Sequence, residues 1–135
     1  MTIYCSKLQT LPRGLGKLGA LKQLLLDRLD ELQEMPDPIG LTALGSLTIK
    51  GLTIKGKLKT LPKELGKLGA LTQLTLQGLP ELQEMPDPIG LTALGNLTIE
   101  DCSKLRALPR GMGELGALME LTGCMSWRRC RIQSG

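Results

Sequence analysis

Aliphatic residues return along this chain in one fixed beat. From Leu94 they fall at Leu97, Ile99, Cys102, Leu105 and Leu108, and the beat restarts at Leu118 after 24 residues. From Leu71 they fall at Leu74, Leu76, Leu79, Leu82, Met85 and Ile89, restarting at Leu94 after 23. From Leu21 they are Leu24, Leu26, Leu29, Leu32, Met35 and Ile39, restarting at Leu44 after 23. A partial unit opens the chain with Ile3, Cys5, Leu8, Leu11, Pro12, Leu15 and Leu18. With the first leucine of each unit as position one, the apolar residues fall at positions four, six, nine, twelve and fifteen, and a proline at sixteen.

Each unit divides in two. Positions four and six alternate with polar neighbours, which predicts a short strand burying alternate side chains. The proline then ends regular pairing, because it has no N–H to donate. In ELGKLGAL after Pro62 the apolar residues stand three apart, the spacing of a helical or 3₁₀ turn. Asp37–Pro38 and Asp87–Pro88 read as helix starts, with Asp as N-cap and Pro at the first helical position. The expected unit is therefore strand, turn, short helix-like segment, turn.

Residues 7–49 realign on 57–99 at an offset of fifty, with nine differences and no gap. Unit three is irregular: LTIKG is doubled, and Leu44 to Leu71 is 27 residues. Either Ile49 holds the strand and the extra residues bulge, or Leu52 and Ile54 take it over. The first keeps the spacing from Leu44 and is preferred; in both cases this junction is expected to be the weakest of the stack. In the last unit, LMELTGC aligns with LTQLTLQG as if two residues were missing, so position six is lost. The array is expected over 1–124, with 125–135 as a non-repeat tail. Neither end shows a polar cap, as expected for a piece of a longer array.

The segments CSKLQTLPRGLGKLGAL and CSKLRALPRGMGELGAL, together with the strand beat, resemble the leucine-rich repeat family over about residues 1–124. The subtype is similar to the cytoplasmic repeats of plant-type disease-resistance (NBS-LRR) proteins. The secreted receptor-kinase subtype, with Asn at position nine and G-x-I-P at the corner, is not matched. Bacterial effector ubiquitin ligases carry shorter units, about 20–22 residues, plus a catalytic domain, and the unit length here argues against them. The resemblance implies an α/β solenoid: a right-handed curved coil with a parallel sheet on the concave side and short helical or 3₁₀ segments on the convex side. No G-x-x-x-x-G-K-(S/T) is present in the chain, so no ATPase switch is inferred.

Composition narrows the function. With one Trp, one Tyr and no Phe, the core must be aliphatic. Histidine is absent, which removes the commonest general base and metal ligand. No C-x-x-C pair joins Cys5, Cys102, Cys124 and Cys130, so no zinc site is expected. No metal, cofactor or enzymatic activity is expected. Net charge is +4, and the only dense basic cluster is Arg128, Arg129 and Arg131 beside Trp127, which reads as a solvated tail. Nucleic-acid and membrane partners are not expected. The start lacks an apolar signal region, and free thiols in a reducing, cytoplasmic setting are expected. Cys5 and Cys102, at position nine, read as buried structural thiols. The glycines of LGKLGAL read as turn positions that need backbone freedom. The acidic pairs Asp30–Glu31 and Glu31–Glu34 read as a solvated face.

The candidate site is the strand face opposite the leucines. Position three gives Gln23, Ser46, Gln73, Asn96 and Glu120; position five gives Leu25, Thr48, Thr75, Thr98 and Thr122. Positions seven and eight give Asp27 and Arg28, Lys50 and Gly51, Gln77 and Gly78, and Glu100 and Asp101. Four of the nine differences between the copies fall here: Leu25/Thr75, Asp27/Gln77, Arg28/Gly78 and Ser46/Asn96. That is four of six such positions against five of the other 37, and no core leucine differs. The concave face is therefore the expected surface for a protein partner, spanning roughly 20 Å over five strands. The competing expectation is a structural spacer with no partner of its own. Open sheet edges also suggest end-to-end self-association.

Overall fold

The computed structural model describes residues 1–4, 13–28, 31–33, 35, 38, 40–51, 57–86, 90–105 and 118–122. The expected tail 125–135, with its Trp127–Arg131 cluster, lies outside them, as do Cys5, Cys124 and Cys130. Six strands run in chain order: β1 (Thr2–Tyr4), β2 (Gln23–Asp27), β3 (Ser46–Lys50), β4 (Gln73–Gln77), β5 (Asn96–Glu100) and β6 (Leu118–Thr122). They form a single sheet in the order β1-β2-β3-β4-β5-β6, every neighbouring pair parallel. Parallel neighbours demand a crossover after each strand, and each repeat supplies one.

Register follows the leucine beat. Leu24, Leu47, Leu74 and Leu97 stand side by side, and so do Leu26, Ile49, Leu76 and Ile99. All eight are buried, and the last four are fully so. A slip of one residue would turn every one of them to solvent, so the pattern fixes the pairing. Ile49 holds the third strand, paired with Leu26 on one side and Leu76 on the other. The β3–β4 register is complete over five residues, so the insertion leaves the strand pairing at this junction intact. The bulge expected at 52–56 falls outside the described residues.

The last strand corrects the sequence alignment. Met119 pairs with Leu97 and Leu121 with Ile99, so β6 sits two residues further along than LGAL-to-LGAL matching placed it. Position six is occupied, by Leu121. Glu120 stands at position five beside Thr98, and Thr122 at position seven beside Glu100.

The return segments also differ from expectation in kind. Arg13–Lys17 and Lys63–Lys67 are 3₁₀ helices. Bonds from Leu65 N–H to the Pro62 carbonyl (3.1 Å), Leu68 to Leu65 (3.4 Å) and Leu71 to Leu68 (3.0 Å) continue the three-residue step toward β4. Three residues per turn put Leu65, Leu68 and Leu71 on one inward line, and all three are buried. At the other corner the helix-start signal yields only turns among the described residues. Leu41 N–H reaches the Pro38 carbonyl (2.9 Å) and Leu44 that of Leu41 (3.2 Å). Asp37, Asp87 and Pro88 are not among the described residues.

Between strand and return segment lies one continuous aliphatic core, with no buried polar or charged residue among the described residues. Cys102 belongs to it, fully buried, its thiol donating to the Glu100 carbonyl at 3.5 Å and facing the Leu76 carbonyl at 4.0 Å. The thiol thus ties its own coil to the preceding strand.

Two details on the coil side were read differently from the sequence. Gly78 carries the only positive φ (66°) among the described glycines, so the LGKLGAL glycines are not there for left-handed backbone. The glycine the return path needs is Gly90, in the IG corner. A Cβ there would lie 2.6 Å from the Gly66 carbonyl oxygen and 2.7 Å from Lys67 Cα. Glu31 is not merely solvated: it pairs with Lys57 of the next coil at 2.8 Å, and Glu81 pairs with Lys104 at 2.8 Å. Counted back from the corner proline at sixteen, these four residues all hold position eleven, where the sequence alternates Lys and Glu from one coil to the next.

Candidate partner-binding face

Strand alternation places positions three, five and seven opposite the core. Exposure follows one rule across β2, β4 and β5: position three is exposed, positions five and seven are half-buried, and four and six are buried. Gln23, Gln73 and Asn96 form the exposed row, with Ser46 half-buried between them in β3. Leu25, Thr48, Thr75 and Thr98 form the central row, and Asp27, Lys50, Gln77 and Glu100 the far row. The register sets Thr48, Thr75 and Thr98 shoulder to shoulder, with Leu25 beside Thr48. Glu120 extends that central row at β6 by its backbone position.

Position eight behaves differently. Arg28 and Asp101 are exposed, with φ of 59° and 54°. Gly78 shares the left-handed backbone and is buried. These residues turn the chain out of the strand, and position eight is a strand-end corner rather than part of the flat face. Left-handed backbone admits glycine and short polar residues most readily, so backbone geometry shapes what stands there. The Arg28/Gly78 difference between the copies therefore carries less weight as diversification. Leu25/Thr75, Asp27/Gln77 and Ser46/Asn96 remain, three of five positions on the flat face.

Gly51, the fourth corner, lies against the next coil. Its N–H donates to the Gln77 carbonyl at 2.7 Å, and a Cβ there would stand 2.5 Å from the Gly78 oxygen. No side chain fits at this point of the face.

The face is hollowed at its β1–β3 side. The hollow has a volume of about 310 Å³ and is lined by Thr2, Gln23, Leu25, Ser46, Thr48 and Lys50, with Met1 and Leu24. Thr2 pairs with Leu25 and so begins the central row. Thr2 was not among the face residues expected from the sequence; its pairing with Leu25 sets it at position five. Asp27, Lys50, Glu100 and Asp101 make no ion pair with another described residue; the two ion pairs formed between described residues are both at position eleven. The charges on the face are thus available to an incoming group. No group of three or more Cys, Asp or Glu side chains fit to hold a metal occurs among the described residues. No described helix is long and apolar enough to cross a membrane.

No protein-family model matches the chain, and no curated protein is detectably similar to it in sequence. In structure the chain is similar to the leucine-rich repeat domain of the type III effector XopL, with a TM-score of 0.74 at 23% identity. The match covers 93% of this chain and 52% of that one, so the chain spans about half the length of the domain it resembles. A likeness at this identity speaks to the fold alone, and the plant-type receptor subtype expected from the corner residues is not shown by it. Repeat beat, parallel register, 3₁₀ return segments and structural likeness agree: the chain has the leucine-rich repeat solenoid fold, with its sheet on the concave side.

Proposed function

We propose that the chain is a protein-interaction module and that its concave strand face makes the contact. The observation that carries this reading is the contrast between the two faces of the same strands. The inward face is invariant between the duplicated copies, while three of five outward positions differ. Folding constrains the first set through burial and leaves the second free for a partner to select. The outward rows combine amides, hydroxyls and charges without internal ion pairing, a surface that offers hydrogen bonds rather than reactive chemistry. With no histidine in the chain, binding accounts for these residues better than catalysis does.

The area is modest, near the lower limit of a stable interface, so a weak contact or one shared with neighbouring repeats is expected. The test compares capture by the wild-type chain and by a variant with Asp27, Arg28, Lys50 and Glu100 all changed to Ala. Loss of captured protein supports the concave face; equal capture counts against it and favours a spacer.

The finer proposal is a defence-type receptor of the cytoplasm, supported by the subtype resemblance of CSKLQTLPRGLGKLGAL and CSKLRALPRGMGELGAL. Reading the coding sequence upstream tests it: a nucleotide-binding domain there supports the receptor, and further repeats on both sides speak for an array segment.

A further inference from the structure

We propose that the concave face takes a helical segment of a partner protein, laid across the strands. An acidic side chain of that helix seats at Lys50, and a basic one seven residues away seats at Glu100 and Asp101. The proposal rests on the reading of this face as the contact surface and adds the chemistry of what it contacts.

Charge is distributed unevenly along the solenoid. Counting positions seven and eight strand by strand, β2 carries Asp27 and Arg28 and is neutral. β3 carries Lys50 alone, β4 only Gln77 and Gly78, and β5 both Glu100 and Asp101. With its strand-end corners included, the far edge of the face is therefore positive at β3, neutral at β4 and doubly negative at β5. Asp27 stands one strand from Lys50 but forms no ion pair with it. An occupant complementary to this pattern presents an acid, a neutral stretch and a base, in that order across the strands.

The spacing selects the occupant's conformation. From β3 to β5 is two strand separations, roughly 9.6 Å. An α-helix returns to the same face after seven residues, about 10.5 Å along its axis. An extended chain places same-face side chains at about 6.7 and 13.4 Å, missing by roughly 3 Å on the short side and roughly 4 Å on the long side. Outward positions three to seven cover about 13 Å along each strand, enough for a helix about 10 Å across.

The hollow fixes the acidic end. Its lining holds both Lys50 and the half-buried Leu25, the one aliphatic residue of the central row between β2 and β5. A glutamate-like side chain laid there packs its methylene stem on Leu25 and brings its carboxylate to the Lys50 ammonium. Thr75 and Gln77, midway, suit small neutral residues.

The probe is a phage-displayed library of helical peptides, selected on the whole chain and counter-selected on Thr75→Arg, which fills the centre of the face. Circular dichroism and the urea midpoint verify that the variant keeps its fold. The expected result is enrichment of peptides with an acid and a base seven residues apart. Their affinity should fall about fivefold to tenfold on Lys50→Glu and stay unchanged on Lys17→Glu, on the return segment. Peptides that depend on Thr75 but lack this pairing, or ignore Lys50→Glu, overturn the helix proposal and leave the concave face as the contact surface. A library yielding no Thr75-dependent peptide overturns both.

Discussion

Gly90→Ala adds one methyl group, and the structure says where it goes. The new Cβ would stand 2.6 Å from the Gly66 oxygen and 2.7 Å from Lys67 Cα. That is about 0.8 Å short of ordinary contact. Both atoms are backbone of the second 3₁₀ helix, so no rotamer change relieves the clash. The coils must separate, and Leu65 and Leu68, which flank the contact, are packed into the core. Overpacking of this kind costs about 1–3 kcal/mol. Alanine's lower unfolded-state entropy offsets about 0.4–1 kcal/mol of it. A net loss of about 1–2 kcal/mol is expected from these opposing terms. Two controls carry the same chemical change without the clash. At Gly95 the nearest atom to the new Cβ is 3.8 Å away, and at Gly14 nothing lies within 4 Å. Both should be neutral or stabilising by up to about 1 kcal/mol. Urea unfolding followed by far-ultraviolet circular dichroism gives the three values on one scale. If Gly90→Ala is as stable as Gly95→Ala, coil-to-coil contact at this corner is not what the glycine serves.

Other outcomes follow from the same geometry. Leu97→Ala, fully buried between Leu74 and Met119 in the sheet register, should lose about 2–5 kcal/mol in the same urea assay. Gly78→Ala places a Cβ on buried backbone at φ 66°, and should lose about 1–2 kcal/mol. The Glu81–Lys104 pair is partly exposed, so a double-mutant cycle should return less than about 1 kcal/mol, shrinking with added salt. A coupling above that, or one insensitive to salt, would contradict its reading as a surface pair.

Much of the fold was legible because one physical rule dominates it. Positions four and six must be buried in every coil, so Leu24, Leu26, Leu47, Ile49, Leu74, Leu76, Leu97 and Ile99 announce strand, face and register together. The same rule chose Ile49 for the third strand. At β6 the strand register departs from motif matching: aligning LGAL with LGAL left position six to a glycine, whereas the observed pairing is shifted by two residues and sets Met119 and Leu121 at positions four and six. The helix expected at Asp37–Pro38 did not form among the described residues, where Leu41 closes a three-residue step on Pro38 and Leu44 another on Leu41.

The face was less legible. Its three rows follow from alternation alone, but the left-handed backbone of Arg28, Gly78 and Asp101 does not, since strand periodicity says nothing about where the strand stops. The Lys–Glu alternation at position eleven was visible as Glu31, Lys57, Glu81 and Lys104, yet its meaning needed the coils stacked. The hollow beside Lys50 depends on how three strands curve together, which no one strand encodes.

The central claim is that the strands divide their labour, inward residues holding the stack and outward residues meeting a partner. Saturation mutagenesis of β4, scored in parallel for folding and for capture of a selected partner peptide, tests it directly. Substitutions at Leu74 and Leu76 should abolish folding, while those at Gln73, Thr75 and Gln77 should leave stability within about 0.5 kcal/mol and change capture. Capture indifferent to Gln73, Thr75 and Gln77, or folding as sensitive to them as to Leu74 and Leu76, would contradict the account.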